Sequence, residues 1–240
     1  MLNNADLLLF CAYAGSTYFA LVFQIMFDMK KLFRKFVNHW FVCSIYLAGI
    51  VALLAIFLPL TLTQKMLLAS IVFLFLHFYE EFGWPGGFPY MGVKLLLGKD
   101  EKDPRKWNCN NLSSMYGNWG FLLLIYVLPL CFPSLAVLTL AAMMFNFAEL
   151  LMHLILFNVR LKQWYNPGFV TAIFGLTPIS IYYFSAVFDA GMFVWYHYLI
   201  AVAWFVFVFW LCFRSPIYWG LGKKDGYQFT EQSAFGFFKH

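Results

Sequence analysis

The sequence predicts an all-α membrane protein, a bundle of about seven transmembrane helices. Three observations lead there. Of the 240 residues, 63% are hydrophobic and only 11% charged, against roughly 25% charged in soluble domains. Apolar runs of about 20 residues, the length that crosses a bilayer, recur along the chain. All but Lys65 of the 16 lysines and arginines fall in alternate connections between those runs. By the positive-inside rule, this split puts the N-terminus outside and the C-terminus in the cytoplasm. A multi-pass protein of the cell (inner) membrane is expected. The net charge of +5 does not point to nucleic acid, because the basic residues belong to the loops. The whole chain, 1–240, reads as one transmembrane domain.

The spans follow in order. Span 1 is Leu7 to Phe27. The preceding Met1–Asp6 lacks the basic region of a cleaved signal peptide, so this run is expected to stay as a span. A basic loop, Asp28 to Asn38, leads to span 2, Trp40 to Leu60, with Trp40 as an interfacial anchor. The turn Thr61–Lys65 precedes span 3, Met66 to about Phe82. The longest connection, Gly83 to Asn118, starts with Trp84-Pro-Gly-Gly-Phe-Pro-Tyr90, which cannot continue a helix. This segment is expected to fold back as a cap, the alternative being a plain helix stop. The connection holds an amphiphilic piece and a charged one, Lys99–Lys106, and runs into span 4, Leu112 to Leu130. Span 5 is Leu135 to Phe157, and span 6 runs from Asn166-Pro-Gly168 to Val187 with a kink at Pro178. Span 7 is Met192 to Phe213. The tail 214–240 is polar and aromatic and is expected on the cytoplasmic membrane surface. The five cysteines are scattered, with no metal-finger spacing, and read as free thiols.

Candidate site residues stand out because ionisable side chains inside a bilayer are costly and usually face a protein interior or a water-filled cavity. His77, Glu80 and Glu81 lie at i, i+3 and i+4 and share one helix face. Glu149 and His153 form an i, i+4 pair on span 5, with Asn146 three residues before Glu149. Taking ~1.5 Å per residue, His77 lies roughly 16 Å down span 3 and Glu80 and Glu81 roughly 21–22 Å. Asn146, Glu149 and His153 lie roughly 16, 21 and 27 Å down span 5. The two sets overlap in the cytoplasmic half. Asn166 and Thr171 begin span 6 near the same level. His197 is only about 7 Å down span 7 and joins the others only if that helix tilts.

Two imidazoles and three carboxylates from two helices suit a divalent metal, zinc first and then manganese or iron. In that reading Glu80 or Glu81 is the general base. His77, Glu149 and His153 hold the metal, and Asn146, Asn166, Thr171 and His197 serve substrate or outer contacts. Internal ion pairs and proton binding remain open alternatives for the same residues.

The motif His77-Phe-Tyr-Glu80-Glu81, followed by Trp84-Pro-Gly-Gly-Phe-Pro89, resembles the HXXEE family of bacterial integral membrane proteins. Asn146 with His153, and Tyr165-Asn-Pro-Gly168 with Thr171, look like that family's later motifs. The resemblance implies a membrane protein and little about activity. A weaker analogy is to CAAX-type glutamate intramembrane proteases, with Glu80, Glu81, His153 and His197 in the corresponding places. The arginine that those enzymes carry after the paired glutamates is missing here, and Ala201 stands where an Asn or Asp is expected.

Three functions are therefore expected in turn. The first is an intramembrane hydrolase, metal-dependent in one form, acting on lipid or a membrane-embedded peptide. The second is a proton-coupled transporter or channel-like protein. The third is a di-metal lipid oxidase or hydroxylase, although the paired Glu-x-x-His motifs of that class are missing.

Overall fold

The computed structural model describes residues 24–239. Span 1 of the sequence reading, and the side of the membrane on which the N-terminus ends, lie largely outside these residues. Among the described residues the regular structure is helical, and six helices are long and apolar enough to cross a membrane. They are α1 (Trp40–Phe57), α2 (Leu62–Phe82), α4 (Asn111–Cys131), α5 (Ala136–Leu161), α6 (Phe169–Asp189) and α7, whose regular part is Trp195–Phe213. Between α2 and α4 lies a shorter helix, α3 (Phe88–Leu96). Beyond α7 come α8 (Pro216–Gly222) and α9 (Glu231–Phe235).

Local sequence sets the helix ends. Thr61 opens α2 with a reciprocal cap: its hydroxyl accepts from the Gln64 N–H at 3.3 Å, and the Gln64 side chain accepts from the Thr61 N–H at 3.0 Å. At the other end Gly83 N–H closes on the Tyr79 carbonyl at 2.8 Å. Asn110 and Ser113 form a second reciprocal cap at the start of α4, each pairing at 3.0 Å. The long connection therefore ends at Asn110, earlier than position 118, because these two side chains satisfy the first free amides of the helix. The Asn110 amide also donates to the carbonyls of Leu221, Gly222 and Lys224, tying α4 to the end of α8.

Helix α2 is the centre of the bundle. It packs against α1, α4, α5, α6 and α9. Trp40 is fully buried and stacks on Phe78 and Phe82 of α2, with ring centroids 5.5 and 5.0 Å away. The outer faces carry exposed Ile50, Phe57, Phe174, Ile181 and Leu199, as lipid contact requires. Three spans contain a π-helical stretch: Leu123–Val127 in α4, Leu151–Phe157 in α5 and Ala172–Leu176 in α6. Such stretches re-aim side chains and are frequent at functional sites. The one in α5 holds His153.

The basic connections pack together on one face. Asn38 donates to the Gly226 carbonyl at 3.2 Å, and Arg160 donates to the Leu95 carbonyl at 2.6 Å. The tail does not spread on a surface as the sequence reading expected. It folds back over the mouth of the bundle. Gly87 N–H donates to the Ser233 carbonyl, Phe237 N–H donates to the Gly86 carbonyl, and the Ser233 hydroxyl donates to the Phe82 carbonyl. The physical reason is steric. Gly86 and Gly87 have φ of +70° and +103°, and a side chain on either would meet the tail backbone, at 2.6 Å from Gln232 O and 3.1 Å from Phe235 O. Only the double glycine lets α9 seat this closely.

Candidate functional site

The three ionisable residues of the α2 motif divide between two neighbouring sites. Glu80 points at the start of α6. Its carboxylate accepts the backbone N–H groups of Val170 and Thr171 at 3.0 and 2.9 Å, the Thr171 hydroxyl at 2.6 Å and the Tyr165 hydroxyl at 3.1 Å. A helix N-terminus offers free amides and a positive dipole end, so an acidic side chain is well placed there. Burial, and then the Glu80 charge beside it, push the Tyr165 phenol well above its ordinary pKa. Tyr165 therefore remains a donor. With four donors on its two oxygens, Glu80 is a structural anchor. The expectation that it acts as a base is corrected on that ground.

Glu81 is turned about 100° around the helix from Glu80. Its Oε1 lies 3.4 Å from His77 Nε2 and 3.8 Å from His153 Nε2. Glu149 enters from α5, with Oε2 3.2 Å from His153 Nε2 and 3.7 Å from His77 Nε2. The two imidazoles stand edge to face, 4.9 Å apart. Among the described residues, His77, Glu81 and His153 form a buried group whose ligand atoms all lie within 4.8 Å of one another. Glu149 extends that group through its contacts to both imidazoles.

The outer partners fix which ring nitrogen carries the proton. The Thr171 hydroxyl has one proton, and Glu80, a carboxylate, only accepts. The hydroxyl must then accept from His77 Nδ1, which lies 2.9 Å away. His153 Nδ1 lies 2.6 Å from Asn166 Oδ1, an acceptor. The Asn166 amide nitrogen cannot be there, because it donates to the His153 carbonyl at 2.8 Å and to Asn158 Oδ1 at 2.7 Å. Each ring thus carries hydrogen on Nδ1 and turns Nε2 toward the two carboxylates. Metal-bound histidines are held by such outer partners.

The donor set suits a metal. Ligands about 2.0–2.1 Å from a tetrahedral ion stand roughly 3.3–3.4 Å from one another. Within the group His77, Glu81 and His153 the N···O separations are 3.4 and 3.8 Å, and Glu149 stands 3.2 and 3.7 Å from the two Nε2 atoms. Two carboxylates in a water-poor interior need protons or a cation beside them, and a divalent cation is one such partner.

Gly168 makes this closeness possible. It has φ of +100°, and a Cβ there would lie 2.7 Å from His77 Cε1 and collide with the His153 ring. The Asn166-Pro-Gly168 turn thus supplies an outer partner and clearance for both rings.

Asn146 and His197 are not in the cluster. Asn146 accepts from the Tyr126 hydroxyl at 2.5 Å and donates to Ser70 Oγ at 2.9 Å, so it ties α5 to α4 and α2. It faces a helix seam where a ligand contact was expected. His197 stands in the first turn of α7, where its Nδ1 accepts the Val194 N–H at 3.2 Å and its ring lies on Tyr196. Helix α7 runs toward the basic face and ends there, so His197 is at the wrong end to reach the motif.

The cluster opens on a cavity of about 520 Å³. Its wall is mainly apolar, with Leu74, Phe121, Phe145 and Phe209 among the lining residues, and His77, Glu81, Glu149 and His153 on one side. Phe88 and Pro89 of the expected cap line it too, and the Phe88 ring lies 6.4 Å from His153 and 6.1 Å from Phe157. Trp84, by contrast, is mostly exposed. The sequence reading gave no site role to Asn158 or to Arg214, which also lines the cavity, and named Tyr165 only as part of a motif.

Fold and site together define a multi-pass helical membrane protein with a buried His/Glu cluster beside an apolar cavity. Residues 67–183, which carry His77-x-x-Glu80-Glu81, match the family described as "Protein of unknown function with HXXEE motif". No curated protein and no solved structure matches the chain.

Proposed function

We propose that the protein is a metal-dependent hydrolase of the cell membrane, with its site in the cytoplasmic half and a lipid or membrane-embedded peptide as substrate. The observation that carries this reading is the convergence of two imidazole Nε2 atoms and two carboxylates at the wall of an apolar cavity. His77, His153 and Glu81 would hold a divalent ion, zinc first and then manganese or iron. Three protein ligands leave a position open, as catalytic sites of this type require. The ion would supply a Lewis acid and ease the deprotonation of water.

Glu149 is the base in this reading. Its side chain is 16% exposed, against 5% for Glu81, 4% for His77 and 1% for His153, so it presents most to the cavity. It takes a proton from water as the water oxygen adds to the scissile carbonyl. It returns that proton to the leaving group as the carbonyl bond to it breaks. Glu80 and Thr171 hold His77 in its tautomer, and Asn166 does the same for His153. The apolar wall keeps other water away.

The second reading, a proton-coupled transporter, draws on one observation. Glu80, Thr171, His77 and the Glu81/Glu149 pair form a continuous chain of proton-binding groups. Metal analysis of the full chain in mild detergent separates the two. The hydrolase reading expects about one zinc, manganese or iron per chain after purification without chelator. A chain that stays metal-free when each ion is supplied in excess contradicts it.

A further inference from the structure

We propose that the cavity binds a membrane lipid with an anionic headgroup, held at Arg214, and that the bond presented to the cluster is the one next to that headgroup. This rests on the hydrolase reading only for the bond and not for the lipid.

Arg214 follows α7 immediately and lines the same cavity as the cluster. Among the described residues it has no carboxylate partner. One guanidinium nitrogen donates to the Phe213 carbonyl at 3.2 Å, and the group lies 5.8 Å from the ring centres of Phe209 and Trp219. A guanidinium has five N–H donors in a rigid fork that matches carboxylate or phosphate. One of the five has a partner here, and the flanking aromatic rings hold the group in place.

Level in the membrane gives the register. Glu81 is the second-last residue of α2, and Arg214 is the first residue after α7. Both ends belong to the basic face, so cation and cluster sit at the same rim. Leu74 lies seven residues before Glu81 and Val206 eight before Arg214, which takes the cavity roughly 10–12 Å toward the bilayer centre. Its deeper wall is apolar, with Phe121, Phe145 and Phe205. At about 520 Å³ it falls in the range of small-molecule sites, roughly 300–1,000 Å³. One acyl chain fits the deep part and one anionic group fits the rim. An ester at the head end of the chain would then face Glu149. Water adding to its carbonyl would give a fatty acid and the lysophospholipid that keeps the anionic headgroup.

The test is calorimetric titration of the detergent-solubilised full chain with a short-chain phosphatidylglycerol and with the phosphatidylcholine of the same chains. The wild type should bind the glycerol lipid about tenfold or more tighter, as one charge-assisted pair implies. Arg214→Gln should bring the two lipids to within about threefold, and Arg214→Lys should keep most of the preference. Inorganic phosphate alone should not displace the lipid, because it lacks the chain that the deep wall takes up. Equal affinities in the wild type overturn the proposal. So does a full preference in Arg214→Gln, which would mean that Arg214 serves only the helix end, and so does displacement by phosphate. If Arg214→Gln does not fold, the wild-type preference and its retention in Arg214→Lys decide. Arg214-dependent lipid binding by a chain without metal keeps this assignment and removes the hydrolase reading. One bound metal without lipid preference does the reverse.

Discussion

Glu80 and Glu81 are neighbours in the chain and live in different places. Glu80 is wrapped by four donors from the start of α6. Glu81 has no such wrapping and faces two imidazoles and a cavity. One residue step along a helix turns the side chain by about 100°, enough to send one carboxylate to a helix terminus and the other to a metal-type cluster. The difference teaches that a doubled acidic motif can be two parts in two settings. The first is bound at the start of α6, and the second faces the imidazoles and the cavity. Thr171 joins them, because the hydroxyl that caps against Glu80 also orients His77.

The largest expected effect tests the Glu81 side of this contrast. Glu81→Gln and His153→Ala should each lower metal affinity by more than about a hundredfold, beyond the 10–100-fold that outer partners carry. Titration against a competing zinc chelator measures it. Unchanged affinity in both variants would remove the cluster from consideration.

Glu80→Gln should act differently. An amide has one acceptor oxygen and places N–H donors against the α6 amides. The helix start loses a partner at a cost of about 1–3 kcal/mol, read as a lower melting temperature. Metal affinity should fall by only about 10–100-fold, through the loosened His77. If Glu80→Gln loses metal as completely as Glu81→Gln with no loss of stability, the division of labour is wrong.

Asn146→Ala sharpens the same contrast from α5. It strands the Tyr126 and Ser70 hydroxyls in a dry seam, so stability should fall by about 1–3 kcal/mol. Metal affinity should not change. The smallest effect belongs to His197→Ala, within about 0.5 kcal/mol and with no change in metal, since its contacts are local to the first turn of α7.

Much of this was legible in the sequence for a plain reason. Residues that are costly in lipid must meet one another, so spacing and depth along α2 and α5 put His77, Glu80, Glu81, Glu149 and His153 at one level, and the structure brings all of them but Glu80 into one cluster. Depth along a helix does not give rotation about it, which is why Asn146, at the right level, turned out to face Ser70 and Tyr126. His197 had the right chemistry at the wrong end. The role of Glu80 was hidden because it depends on where α6 starts, a tertiary fact. The glycine of Asn166-Pro-Gly168 was the available hint, since it marks a place where the backbone must come close. The tail was misread as a surface element. Its Thr230 and Ser233, spaced as a helix cap, together with the facing double glycine, were the signals of a docked segment.

Zinc-edge X-ray absorption of the zinc-loaded full chain in detergent tests the central claim most directly. The structure predicts two imidazole rings and only nitrogen and oxygen neighbours at about 2.0–2.2 Å, with one imidazole lost in His153→Ala. A sulfur shell, fewer than two imidazoles in the wild type, or an identical spectrum in His153→Ala would contradict it.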